Sequence, residues 1–197
     1  RMWGFLDRRG MVGTLGCGLF ASPLRWRRFQ VKTIHTTLLL VLMSLLFLPT
    51  PTPALDLGKA PPDFKLKTLD GKDVRLSDFK GRFIVLKLAT TWCPTCQQQT
   101  GEFIAAGEFL KEKNVQVIEV FLQDSPEMVK EFFKDKADAV SFIALLDDGQ
   151  AHKKFNVYLI PRVLVIDPDF IVRRDGSVMS ADDLKKQIEA LEAQRKP

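Results

Sequence analysis

Phe83-Ile84-Val85-Leu86-Lys87-Leu88-Ala89-Thr90-Thr91-Trp92-Cys93-Pro94-Thr95-Cys96 is the stretch from which the rest of the chain can be laid out. Phe83 to Ala89 is nearly continuous apolar sequence broken by Lys87, which suits a central strand covered on both faces. Two cysteines two residues apart then follow where that strand gives way to a helix. Helix N-termini carry unpaired N–H groups and the positive end of the macrodipole, so they favour an anion. A Cys93 thiolate there would have a lowered pKa, and the thiolate is the reactive form. Pro94 suits the first helical turn, where its missing N–H costs nothing. Cys96 lies on the same helical face and is placed to attack a mixed disulfide formed at Cys93. The pair reads as a redox dithiol. A zinc site would need a second Cys/His pair, and only Cys17, His35 and His152 are available, widely separated. A purely structural disulfide would be expected to pin a long loop rather than open a helix beside Trp92.

Outward from this stretch, 197 residues suffice for one domain with a core and are short for two. The formal charge of +5 suggests nucleic acid until its distribution is examined. Seven of the 29 Lys and Arg fall in residues 1–54 with a single acid, whereas the remaining 22 bases face 23 acids. The basicity belongs to the leader, and no nucleic-acid surface is indicated.

That leader has the order of an export signal. Arg25, Arg27, Arg28 and Lys32 precede an apolar segment within 34–48, and a Pro-rich break runs from Pro49 to Ala54. Leu38 to Leu48 falls short of the roughly 20 residues that span a bilayer, so an uncleaved membrane anchor is the second reading. Residues 1–24 fit no signal pattern, and Met11 is a candidate start. Export would place Cys93 and Cys96 in an oxidising compartment. The expected division is a leader over 1–54 and a working domain over 55–197.

Within the domain, a strand from Phe64 to Leu69 and another from Lys72 to Leu76 flank Asp70-Gly71, a strong hairpin signal. The spacing predicts a helix from Pro94 to about Lys113, weakened by Gly101 and Gly107. Val115–Leu122 reads as a second buried strand, and Ser125-Pro126 opens a helix as N-cap and N1. A strand over 142–146, a helical turn over 150–155, strands over 162–166 and 170–174, and a last helix from Ala181 to about Ala193 complete an α/β arrangement on a mixed sheet.

At this point the sequence resembles the thioredoxin superfamily, and within it the TlpA/ResA-type periplasmic thiol–disulfide oxidoreductases. The resemblance rests on Ala60-Pro61-Pro62-Asp63-Phe64, Leu69-Asp70-Gly71, Leu76 to Gly81, Trp92 to Cys96, Ile160-Pro161 and Val165-Ile166-Asp167, in the family's order over about residues 58–195. It implies a thioredoxin-like fold with an N-terminal β-hairpin, Cys93 as the attacking and Cys96 as the resolving cysteine, and no cofactor. Pro161 would be a cis-proline facing them, with the Ile160 backbone offering a β-type contact to a substrate chain; Trp92 would shield the pair. Protein disulfide or dithiol substrates, apocytochrome c among them, and a membrane electron donor are implied as partners. Three positions depart from the pattern. Lys87 stands where thioredoxins keep a buried acid; it either approaches Cys96 and lowers the thiol pKa values, or snorkels to solvent. Gln99 replaces a glutamate, removing a carboxylate that could move protons. Gly101 replaces a helix-kinking proline.

Two other functions share these residues. Thr90 to Thr95 resembles a peroxiredoxin active-site stretch, with Arg162 as its arginine, although Leu86 stands where that motif has proline. A copper-delivery protein of the same fold would use two thiolates and an imidazole, but the cysteine spacing is wrong for it and His152 lies too early. Tyr158 and Phe155 are candidates to border the cysteine pair.

Overall fold

Asp70-Gly71 does turn the chain back on itself, with Gly71 at φ +79°. The turn joins β1 (Lys65–Thr68) to an antiparallel β2 (Asp73–Arg75). This computed structural model describes residues 55, 57–136 and 140–195. The segment expected to be an export signal, Cys17 and His35 lie outside the described residues. Among the described residues, no helix is long and apolar enough to cross a membrane.

The elements after the hairpin are a 3-10 turn (Leu76–Phe79), β3 (Ile84–Ala89), α1 (Pro94–Ala105), α2 (Gly107–Glu112), β4 (Gln116–Phe121), α3 (Pro126–Phe133), β5 (Phe142–Leu146), α4 (Gln150–Lys154), β6 (Arg162–Ile166), β7 (Val172–Gly176) and α5 (Ala181–Arg195). Seven strands make one mixed sheet in the order β2-β1-β5-β4-β3-β6-β7. The β3–β4 and β4–β5 pairs are parallel, whereas β6 runs antiparallel to β3 and to β7. This is the thioredoxin-like α/β arrangement expected from the sequence.

Strand periodicity sorts the core into two layers. Ile84, Leu86 and Leu88 of β3 join Phe64, Leu76, Ile118, Val120 and Phe155 on one face. Phe83 and Val85 join Phe103, Leu110, Val117, Leu184 and Ile188 on the other, beneath α1 and α5. Lys87 has the parity of Val85 and therefore points into the layer under α1. All six residues of β3 and all six of β4 are buried. Phe103 and Leu110, with no exposed surface, each contribute about 1.5–3 kcal/mol by leaving water.

Two of the boundaries that differ from the sequence reading have a local cause. The helix expected to run to Lys113 breaks at Ala106, whose backbone (φ −88°, ψ 1°) ends α1 and starts α2. Gly107 immediately follows and resists helix continuation, whereas α1 passes through Gly101 without interruption. The strand expected from Phe170 begins at Val172, because Phe170 (φ +64°) closes a turn. Its N–H donates to the Asp167 carbonyl at 2.9 Å, and the buried Asp167 carboxylate takes the Ile171 N–H at 2.9 Å. The Ser125 cap and Pro126 at the first position of α3 fall where the sequence predicts.

Candidate active site

β3 delivers the chain to the N-terminus of α1, and Cys93 is the N-cap residue. Its backbone is extended (φ −84°, ψ 117°), Pro94 occupies the first turn, and the Cys93 sulfur takes the position a Ser or Asp oxygen usually holds. The Cys96 N–H donates to Cys93 Sγ at 3.4 Å, and the Thr95 hydroxyl lies 3.2 Å from the same sulfur. Partial burial opposes ionisation of Cys93. Hydrogen bonds from the Cys96 thiol, the Thr95 hydroxyl and the Cys96 and Thr95 backbone outweigh it and hold the thiol below its ordinary 9.0.

Cys96 behaves oppositely. It is 1% exposed against 8% for Cys93. Burial, then the hydrogen bond to Cys93, push its thiol up to about 12, against smaller opposing influences from the Thr90 backbone and the Lys87 charge. Neither cysteine is in a disulfide. The two adjacent sulfurs thus differ sharply in readiness to ionise, which suits one to attack first and the other to follow.

Beneath Cys96 lies a buried polar ring. Lys87 Nζ donates to the Cys96 carbonyl at 3.1 Å and to Thr100 Oγ1 at 2.5 Å, and pairs with Glu119 Oε2 at 2.8 Å. Thr100 Oγ1 donates to Glu119 Oε1 at 3.1 Å. Lys87 is 1% exposed, and Glu119 and Thr100 have no exposed surface. The snorkelling alternative for Lys87 is therefore overturned: its side chain points under α1 and meets a carboxylate across the β3–β4 ladder, where Lys87 and Glu119 are direct partners. The Lys87 charge does favour the Cys96 thiolate, as expected, but burial and the hydrogen bond to Cys93 outweigh it. Gln99 is also committed, its amide accepting from Met179 N at 2.7 Å and donating to Met179 O at 3.2 Å. The carboxylate found lacking at that position is supplied to the neighbourhood by Glu119 instead.

The turn before Cys93 has its own anchor, absent from the sequence reading. Asp124, after β4, accepts the Thr91 N–H at 3.1 Å on each oxygen and the Thr91 hydroxyl at 2.5 Å. Gln97 Nε2 donates to the Thr91 carbonyl at 2.7 Å. Trp92 stands outward from this turn, 58% exposed. On the opposite side the Ile160–Pro161 peptide bond is cis, and Ile160 packs against Ala89, Cys93 and Cys96. Tyr158 and Leu159, just before it, are 76% and 84% exposed. Phe155 belongs to the core instead, edge-on to Phe64 with ring centroids 6.0 Å apart.

The family model described as the AhpC/TSA family matches residues 57–175. The chain belongs to the AhpC/TSA family. The thiol-disulfide oxidoreductase ResA of Bacillus thuringiensis subsp. konkukian is 29% identical over 138 residues, spanning 68% of this chain and 76% of that protein. Among solved structures, MTB dsbF is 30% identical over 65% of this chain and 94% of its own, with a TM-score of 0.57. StoA from Bacillus subtilis is 25% identical over 69% and 99%, with a TM-score of 0.54. Within the AhpC/TSA family the chain is thus a thioredoxin-fold thiol–disulfide oxidoreductase similar to ResA.

The remaining candidates of this AhpC/TSA protein make no side-chain hydrogen bond to Cys93. Arg162 grips Asp175 through Nε at 2.8 Å and Nη2 at 2.5 Å, and its third nitrogen binds the Phe155 carbonyl. Thr90 Oγ1 is buried without a hydrogen-bond partner among the described residues, and the hydroxyl beside Cys93 is that of Thr95. His152 is exposed on α4. Among the described residues, no three His, Cys, Asp or Glu side chains gather as a metal site.

Proposed function

We propose that this protein reduces disulfides in other proteins outside the cytoplasm, using Cys93 as the attacking and Cys96 as the resolving cysteine. Residues 1–54 act as an export leader, cleaved or kept as an anchor, and residues 55–197 as the working domain facing the periplasm. The Cys93 thiolate attacks one sulfur of a substrate disulfide and releases the other as a thiolate. Cys96 loses its proton to solvent and attacks Cys93, closing the Cys93–Cys96 bond and freeing the second substrate thiol. The substrate gains two electrons and the dithiol loses two. A membrane electron donor restores the dithiol, and a disulfide between apocytochrome c cysteines, reduced to its thiols, is among the substrates. Ile160 and Pro161 line the docking edge with Trp92, while Pro94 and Thr95 hold the first turn.

The observation that carries this reading is the asymmetry of the two sulfurs: Cys93 sits at a helix cap with donors aimed at it, and Cys96 is sealed beneath. A peroxidase would need a cation and a hydroxyl converging on the attacking sulfur, whereas Arg162 is held by Asp175 and Thr90 makes no such bond. A Cys96→Ser variant should accumulate mixed disulfides through Cys93, abolished in Cys93→Ser. Failure to trap any partner, together with rapid peroxide consumption by the reduced protein, would overturn the reading in favour of a peroxidase. The potential of the couple assigns direction: near −270 mV it acts as a reductant, near −120 mV as an oxidant.

A further inference from the structure

The ring beneath Cys96 is not needed to hold the fold by the usual measure. Burying two opposite charges removes both from water, and a well-packed apolar pair of similar size is often as stable. Yet Lys87 and Glu119 occupy facing positions of the two central strands, and the ammonium is aimed at the Cys96 backbone. Every proton of that ammonium has an acceptor: the Cys96 carbonyl, the Thr100 hydroxyl and Glu119. Thr100 returns its own proton to Glu119. The ammonium cannot swing away without leaving a buried charge unpaired. A fixed positive charge therefore stands directly under the residue that must ionise last.

We infer that Lys87, held by Glu119 and Thr100, is a positioning residue for the resolving step, supplying the positive charge that lets buried Cys96 become a thiolate. The inference rests on the dithiol reading above. Once Cys93 is bonded to a substrate sulfur it can no longer share charge with Cys96. The charged groups then facing Cys96 are Lys87 from β3 and, behind it, Glu119 from β4. Cys96 releases its proton to solvent and its thiolate attacks Cys93; the Cys93–substrate bond breaks, and the substrate sulfur leaves with the electron pair. Lys87 favours the thiolate, whereas Glu119 partly cancels that charge while fixing its position. The two members of one ion pair should thus act on the resolving rate with opposite signs, which a purely structural pair would not do.

The test is stopped-flow reaction of the reduced protein with the aromatic disulfide 5,5′-dithiobis(2-nitrobenzoate). One equivalent of the yellow thiolate reports attack by Cys93, and a second reports resolution by Cys96. Lys87→Met should slow the second phase at pH 7 by tenfold or more and shift its pH profile upward, leaving the first phase within about threefold. Glu119→Gln should accelerate the second phase and shift its profile downward. Because either single change leaves one charge buried alone, Lys87→Met/Glu119→Leu provides a charge-free variant, expected to resolve more slowly than the parent. Equal second-phase rates in the parent and the charge-free variant, or changes of the same sign in Lys87→Met and Glu119→Gln, would overturn the inference. Absence of a second phase in the parent protein would instead sink the dithiol reading itself.

Discussion

Selective alkylation of the reduced protein tests the inequality of the two sulfurs directly. At pH 7 a thiol pushed up to about 12 is ionised to roughly one part in 100,000, whereas one held below 9.0 is ionised to more than about one part in a hundred. Ionisation alone therefore favours Cys93 by more than about a thousandfold. The more basic Cys96 thiolate is intrinsically the better nucleophile, and a Brønsted slope of about 0.4–0.5 over three units returns a factor of about 15 to 30. The net preference is at least about thirtyfold, before the burial of Cys96 adds a steric barrier. The assay is a brief pulse of limiting iodoacetamide under argon, followed by peptide mass mapping of the two sites at pH values from 5 to 9. Labelling should fall almost wholly on Cys93. Its rate should rise as pH climbs through a value below 9.0 and then level off, because the folded state favours the thiolate there. Labelling of the two sulfurs within threefold of each other at pH 7, or of Cys96 first, would refute the reasoning.

Other expectations follow from the same geometry. Glu119→Leu alone should destabilise the protein by about 3–5 kcal/mol, because it strands the Lys87 ammonium, while adding Lys87→Met should recover most of that loss in urea unfolding. Asp124→Ala removes the carboxylate that holds Thr91; a loss of about 1.5–3 kcal/mol is expected, together with slower attack by Cys93 in the first phase of the aromatic-disulfide assay. Phe121 packs edge-on against Phe132 and Phe133, with centroids 6.0 and 5.8 Å away, and Phe121→Ala should cost about 3–5 kcal/mol without changing which sulfur is alkylated. Asp73 is held down to about 2, chiefly by a hydrogen bond from Lys65 and then one from Lys67. That surface contribution should persist above the ordinary carboxylate range and fade as pH falls towards 2, and Asp73→Asn should flatten this acid limb of the unfolding profile.

Local chemistry made much of this architecture readable in the sequence. Asp70-Gly71 can hardly be anything but a tight turn, and Ser125-Pro126 signals a helix start by cap and ring together. The β5 and β6 limits follow from short apolar runs between turn residues. Cys93 and Cys96 stand out in the sequence because both their types and their spacing point to dithiol chemistry. What escaped notice depends on contacts between distant segments. Glu119 looks like a stray charge in a buried strand until the parallel register sets it opposite Lys87. Asp124 is separated by 33 residues from the Thr91 it anchors. Propensity flags both Gly101 and Gly107 but does not tell which of them breaks the helix, and it does not encode the left-handed Phe170. The single available hint was that two buried strands each carried one charge, of opposite sign.

Trp92 is the only tryptophan after residue 54, and it sits outward, next in sequence to Cys93. Indole emission is quenched by neighbouring thiolate and disulfide sulfur, so the domain carries its own optical gauge of whether Cys93 is free, ionised or bonded. A fluorimeter could follow each turnover without a dye, a label or a chromophoric substrate.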